Sequence, residues 1–246
     1  DPKIDVVMEL MGGTTTARKV VAAALKLGKP VITANKALIS AHGESIFRLV
    51  EKNGSNLYYE ASVAGGIPII KSLREGLSGN RIQRLYGILN GTCNYILTKM
   101  EADGSDFADV LADAQQMGYA EAEPSLDVGG FDAQHKTGIL ASLAHGFWVK
   151  PGQIFVEGIR HITPLDIQFA RRLGYCIKLL GIVKKLGNKV QIAVHPALVP
   201  ETHVLANVSD VFNAILVRGD IVGDTLHYGQ GAGADATASA VLSDLA

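Results

Sequence analysis

Only two cysteines, Cys93 and Cys176, occur in 246 residues, too few for the disulfide framework of a small secreted domain. No run approaches the roughly 20 apolar residues that span a bilayer, and no secretory leader is visible. Excess charge is missing as well. With 23 basic against 24 acidic side chains, the chain has no electrostatic footprint for nucleic acid or an anionic membrane surface, and neither partner is expected. The seven histidines lack metal-ligand spacing, which argues against a zinc site, and no repeat or low-complexity tract stands out. What remains is a cytoplasmic globular chain, 48% hydrophobic, large enough for one sizeable domain or two small ones. In that compartment the sequons at Asn90 and Asn207 are chance matches. The chain opens on Asp1 with "IDVVMEL", already strand-like, and reads as a fragment with its start removed.

Residues 1–75 alternate strand and helix patterns: "IDVVMEL", a helix near 15–27, "PVITAN", a helix near 43–53, and "NLYYEASV" leading into "GGIPIIKSLREGL". That rhythm predicts a parallel sheet with crossover helices. From about residue 80 the texture changes. "RIQRLYGILN" reads as a strand entering a helix at "GTCNYILTKME", followed by the amphipathic "DFADVLADAQQMG". Later segments read as hairpins turning at Gly187-Asn188 and Gly219-Asp220, which predicts a mostly antiparallel sheet covered by helices. The ending, "GQGAGADATASAVLSDLA", is a glycine-rich turn opening a small-residue helix able to pack back on the first region.

The stretch "GGFDAQHKTGILASLAHG" carries the main chemical candidates. At about 100° per residue, Asp132, Lys136, Ile139, Leu143 and Phe147 share an arc of roughly 80°. The acid and the base therefore lie on the core-facing stripe. An exposed i,i+4 pair is worth a few tenths of a kcal/mol. Charges on a buried face carry a desolvation cost unless they are paired or used, which moves this pair from decoration to candidate site. The preceding loop, "GYAEAEPSLDVGG", adds Glu121, Glu123 and Asp127, acids able to receive a cationic group such as an ammonium.

Other features have ordinary readings beside functional ones. Gly229, Gly231 and Gly233 do not match G-x-G-x-x-G; a tight strand-to-helix turn and backbone approach to a cofactor both remain open. Asn35 and Lys36 end a presumed parallel strand, the edge where open α/β sheets bind ligands, although a solvated loop is the commoner outcome. Glu60, ahead of Val63, Gly65 and Ile67, offers a carboxylate and free carbonyls of the kind hard cations prefer. From the residues alone, helix capping is the favoured role for Glu60. Cys93, at a helix start, reads as a packed small hydrophobe rather than a nucleophile.

Five stretches in order, "ITANKALI", "YEASVAGGIPII", "GILNGTCNYILTKM", "GYAEAEPSLDVGGFDAQHKTGILA" and "GQGAGADATASAV", closely resemble the homoserine dehydrogenase family over essentially the whole chain. The resemblance implies an oxidoreductase that interconverts L-homoserine and L-aspartate 4-semialdehyde with NAD or NADP, in the route to threonine, isoleucine and methionine. It implies an α/β fold. A partial Rossmann-like parallel sheet in residues 1–75, completed by the helix of 229–246, would join an α+β substrate and dimerisation domain, 76–228, built on a mostly antiparallel sheet. By the same resemblance Lys136 is the general acid/base and Asp132 its partner. Glu121 and Asp127, beside Gly91 and Thr92, hold the substrate. Thr14, Lys36 and Gly233 contact the cofactor. Glu60, Val63, Gly65 and Ile67 match a sodium site, in place of the capping role for Glu60. The resemblance implies a homodimer too, so a second copy of the chain is the expected macromolecular partner.

The resemblance breaks at the front, where the family's G-x-G-x-x-G turn is not present. The chain as given is expected to keep the substrate region and bind dinucleotide weakly. Two other readings are a semialdehyde dehydrogenase acting through Cys93, and a binding or dimerisation module without activity.

Overall fold

The computed structural model describes residues 1–246. Strands β1 (Val7–Glu9), β2 (Val31–Thr33) and β3 (Leu57–Tyr58) form a three-stranded parallel sheet in that order. Parallel neighbours need crossovers, supplied by α1 (Thr15–Lys26) and α2 (Lys36–Asn53). Two boundaries differ from the sequence reading. Helix α2 starts at Lys36 rather than near residue 43, because the Asn35 side chain accepts the Leu38 N–H at 3.0 Å and caps it. Lys36 therefore begins a helix rather than ending a strand. "NLYYEASV" is strand only at Leu57–Tyr58 and then turns through a 3-10 segment, Glu60–Ser62.

After a short helix α3 (Ile69–Lys71), which continues as a π-helical turn to Gly76, the chain builds a second sheet. Its strands are β4 (Ile82–Ile88), β5 (Phe155–Val156), β6 (Tyr175–Leu186), β7 (Lys189–Pro200), β8 (Phe212–Gly219) and β9 (Gly223–Gln230). They run β5-β7-β6-β4-β8-β9, antiparallel throughout except for β5 beside β7. The fold is α/β, with a parallel and a mostly antiparallel sheet, as the sequence led us to expect. The first hairpin turns at Gly187-Asn188, with Leu186 opposite Lys189. In the second, Gly219 pairs with Gly223, so the turn is Asp220–Val222, one residue later than Gly219-Asp220.

Between these strands lie α4 (Gly91–Asp103), α5 (Phe107–Gln116), α6 (Ser125–Val128), α7 (Phe131–His145) and α8 (Pro164–Arg172), with α9 (Ala234–Leu245) at the end. Helix α8 escaped the sequence reading although it carries its own signal: Thr163 accepts the Asp166 N–H, Asp166 reaches back to the Thr163 N–H, and proline opens the first turn. Helix α9 packs on β2, where Ala240 and Val241 meet Ile32 and Ala61. No helix is long and apolar enough to cross a membrane.

Helix α7 is the wedge between the layers, touching α2 on one side and β4, β6 and β7 on the other. Asp132, Lys136 and Ile139 are buried, as the stripe predicts, but so are Ala133, Gln134, Thr137, Gly138, Leu140, Ala141 and Ser142. The helix is buried nearly all round. Phe147 lies beyond its end and is 46% exposed, so the stripe stops short of that residue. Close approach to β6 requires glycine. A Cβ on Gly181 would lie 2.1 Å from Thr137 Oγ1, and that hydroxyl is fixed by donating to the Ala133 carbonyl at 2.7 Å. Gly181→Ala is expected to lower unfolding stability by about 1–3 kcal/mol. Denaturant titration reads the loss directly, and an unchanged midpoint would mean that α7 has slack against the sheet.

Candidate active site

Four ends of secondary structure converge on one carboxylate. Asp132, in the first turn of α7, is 7% exposed. Its Oδ2 lies 2.8 Å from Lys136 Nζ, one turn along the same helix, and its Oδ1 lies 3.1 Å from Lys36 Nζ at the start of α2. Lys136, itself 8% exposed, also donates to the Leu89 carbonyl at 2.7 Å, just past β4. Two of its three N–H donors are thus engaged, and one is free for a ligand. Asn90, the N-cap of α4, donates from Nδ2 to Asp132 Oδ2 at 2.9 Å and to Asp127 Oδ1 at 2.7 Å. Asp127 sits on the short helix α6.

The two carboxylates are driven in opposite directions. Burial pushes the Asp132 carboxyl up, but the Lys136 and Lys36 ammoniums, with hydrogen bonds from Lys136 and Asn90, more than reverse this and hold it well below the usual carboxylate range. At Asp127 burial wins and raises the carboxyl, opposed by the Asn90 hydrogen bond and reinforced by Asp132. Asp132 is a fixed anion, whereas Asp127 has an oxygen, Oδ2, without a protein partner.

The remaining sequence candidates divide. Thr92 lies on the same helix start as Asn90, and its hydroxyl donates to the Tyr119 carbonyl at 2.6 Å, tying α4 to the acidic loop. Gly91 lets the backbone at Val211 come close: a Cβ would sit 2.7 Å from the Val211 carbonyl oxygen. Glu121 is exposed, and only its main-chain carbonyl has a partner, Gln115 Nε2 at 3.0 Å. The structure does not draw its carboxylate into the hydrogen-bonded cluster. Thr14 caps α1 with its side chain unengaged, and Gly233 precedes α9 at φ +114° with open space where a Cβ would project. Gly12 and Gly13 are likewise left-handed and open. At all three glycines the backbone is uncovered by any side chain.

Glu60 is engaged at a helix start. Its carboxylate oxygens each accept a main-chain N–H, Ile70 and Lys71, both at 2.8 Å. The carboxylate therefore caps α3, the role the residues alone favoured. The Ile67 carbonyl accepts the Ile69 N–H at 2.7 Å, and Gly65, at φ +52°, is pressed against the Gly231 backbone. Cys93 is fully buried, with its Sγ 3.2 Å from the Asp127 carbonyl. Burial first, then the Asp127 and Asp132 charges, push its thiol well above the ordinary cysteine range. A thiolate nucleophile is disfavoured there.

Two residues were missed. Asn90 is recognisable in sequence as an N-cap, but not as a bridge between carboxylates. Glu9, fully buried at the end of β1, accepts from Thr33 Oγ1 at 2.7 Å and from the Met11 N–H at 3.0 Å. With Asn35, whose Nδ2 donates to the Gly13 carbonyl at 2.7 Å, it locks together the turns after β1 and β2. An acid ending the apolar run "IDVVM" was the only signal.

A parallel sheet with crossover helices and open glycine turns at its carboxyl edge is the architecture of the dinucleotide-binding α/β proteins as a class. Comparison with known proteins narrows this. The homoserine dehydrogenase family model matches residues 68–246, and the model for the family's NAD binding domain matches residues 1–60. A curated homoserine dehydrogenase of Pseudomonas aeruginosa is 51% identical over the whole chain, which covers 56% of that protein, and one of Bacillus subtilis is 46% identical, with 57% covered. The crystal structure of a homoserine dehydrogenase from Thiobacillus denitrificans superposes with a TM-score of 0.97 at 50% identity, covering 99% of this chain and 57% of that one. The chain belongs to the homoserine dehydrogenase family. It spans a little over half the length of the curated relatives it matches.

The charge arrangement makes a stability prediction. Asp132 is more acidic folded than unfolded, where an aspartate titrates near 3.9. Its contribution is therefore full above about pH 5 and is lost as the pH falls through 4 toward its depressed folded value. Asp132→Asn is expected to lower unfolding stability by about 3 kcal/mol at neutral pH, with the gap from wild type narrowing below pH 4. A gap independent of pH would show that the carboxylate's charge is not what stabilises.

Proposed function

We propose that the protein to which this chain belongs interconverts L-homoserine and L-aspartate 4-semialdehyde with NAD or NADP, within the biosynthesis of threonine, methionine and isoleucine. Family membership supports the reaction, and the cluster around Lys136 supports the roles. The single observation that carries them is an ammonium buried against Asp132 and the Leu89 carbonyl with one N–H unspent. Reduction of an aldehyde develops negative charge on its oxygen. Lys136 stabilises that charge through the free N–H and delivers a proton to the oxygen; in the reverse direction it removes the hydroxyl proton. Asp132 keeps Lys136 in place and ionised-pair geometry intact. Asp127, through its unpartnered oxygen, receives the substrate ammonium, with the Gly91-Thr92 turn beside it and Glu121, on the preceding loop, as the second acid of the substrate side.

Thr14, Lys36 and Gly233 hold the dinucleotide at the sheet edge. A homoserine dehydrogenase from a hyperthermophilic archaeon, solved in complex with NADPH, superposes with a TM-score of 0.84 at 29% identity, covering 98% of this chain and 70% of that one, which supports the assignment. When bound, the reduced cofactor supplies the hydride. In this reading residues 1–75 with 229–246 serve as the nucleotide-binding domain, and 76–228 as the substrate and dimerisation domain. A sodium ion, if held, rests on the main-chain oxygens of Glu60, Val63, Gly65 and Ile67, since the Glu60 carboxylate is committed to α3; no catalytic step needs it.

The homodimer forms through the sheet face turned away from α4 and α7. There Tyr86 and Leu216 line up with the exposed Leu226, and Phe212 stacks on the exposed Tyr228 at 5.2 Å. Leu226→Asp is expected to convert a dimer to a monomer by sedimentation; an unchanged dimer places the interface elsewhere. For catalysis, Lys136→Ala in the full-length protein is expected to lower kcat by 10²–10⁴-fold with little change in KM, and an unchanged kcat removes the proposed role. Cys93→Ser is expected to leave kcat within a fewfold. Loss of activity in that variant would favour thiol chemistry instead.

A further inference from the structure

We infer that Asn90 is a positioning residue: its one amide nitrogen, bonded to both Asp127 and Asp132, fixes the carboxylate that receives the substrate relative to the carboxylate that holds Lys136. The inference rests on the reading of Asp127 as the receptor for the substrate ammonium. Its geometry leaves no freedom. The Asn90 side-chain oxygen accepts the Cys93 N–H at 2.8 Å as the cap of α4, so the amide cannot flip. Both hydrogens of Nδ2 must then point at the two acids, at 2.7 and 2.9 Å. The residue is 5% exposed, and water is a poor substitute donor there.

The consequence is electrostatic. Asp127 faces Asn90 from the start of α4, Asp132 and Lys136 from α7, and Lys36 from α2, while Cys93 Sγ lies on its main-chain oxygen. Burial and Asp132 favour its neutral form; the Asn90 bond and the two lysines favour the anion. A protonated Asp127 cannot attract an ammonium. By donating to its charged form, Asn90 extends to lower pH the range in which Asp127 binds a cation. Serine is too short to reach both acids at once, and aspartate would present a third carboxylate.

The test uses the full-length protein and the pH dependence of kcat/KM for L-homoserine, which reports groups in the free enzyme. In Asn90→Ser, which keeps a capping oxygen and adds no charge, the acid limb is expected to move up by about one pH unit. In Asn90→Asp, which keeps both size and cap, it should move further. A merely structural role would raise KM equally at every pH and leave the limb in place, and that result in either folded variant overturns the inference. Should the serine variant fail to fold, the aspartate variant decides alone, and failure of both to fold also counts against a positioning role. Asp127→Asn separates the underlying reading. A KM raised by two orders of magnitude with the limb abolished supports it. An unchanged KM overturns the substrate assignment itself, whatever the Asn90 variants do.

Discussion

One buried carboxylate, Asp132, holds two ammonium groups that come from different layers of the fold. Lys136 shares its helix, whereas Lys36 begins α2 above the parallel sheet. Taken out of water singly, the buried Asp132 and Lys136 charges would each carry a cost of several kcal/mol, whereas Lys36 stays partly in solvent. Together with the Asn90 amide and the Leu89 carbonyl they satisfy one another. The two layers are consequently registered by charge as well as by apolar packing. Sliding α2 along α7 would break the Lys36–Asp132 pair and leave the buried carboxylate one cation short, so the start of α2 and the first turn of α7 are held in register.

The triad stays in place because backbone surfaces approach where side chains are absent. Gly181 lets α7 sink onto β6 against Thr137; Gly65 lets the turn after β3 meet the Gly231 turn before α9; Gly91 lets the Val211 carbonyl lie against the start of α4. Each contact joins segments far apart in sequence. Helix starts then aim the chemistry: Asn35 and Asn90 cap α2 and α4, which puts Lys36 and the Asp127–Asp132 bridge at the ends of rigid elements. Glu9 completes the edge by holding the turn that leads to Thr14.

How much of this was legible in the sequence depends on how local the cause is. The β6–β7 hairpin was readable because alternation and a Gly-Asn turn specify it within a few residues. The start of α2 was not, since "ITANKAL" looks like a strand end until Asn35 is seen to cap. Asp132 and Lys136 were rightly placed indoors, though for too narrow a reason: α7 is buried nearly all round, so helical periodicity could not by itself have singled them out. Glu60 shows the converse. The residues favoured a cap, the resemblance favoured a cation ligand, and the hydrogen bonds show the carboxylate capping α3. The bridging role of Asn90 and the hub at Glu9 depend on contacts across 42 and 24 residues, which no local pattern encodes.

Two carboxylates joined by one amide have been given different temperaments by their surroundings, and the division has a functional logic. Asp132 meets two cations and stays ionised throughout the physiological range. Its charge is spent inside the protein. Asp127 is further from those cations, is raised by burial, and keeps one oxygen unpartnered. A ligand that brings its own positive charge stabilises the Asp127 anion, whereas a neutral ligand of the same shape leaves it to the opposing pulls of burial and Asp132. In the proposed reading, selectivity for an amino-bearing substrate follows from where the lysines are absent as much as from where the acids are present. Were Lys36 or Lys136 to reach Asp127 as closely as they reach Asp132, the site would be internally neutralised and would have no attraction left for an ammonium.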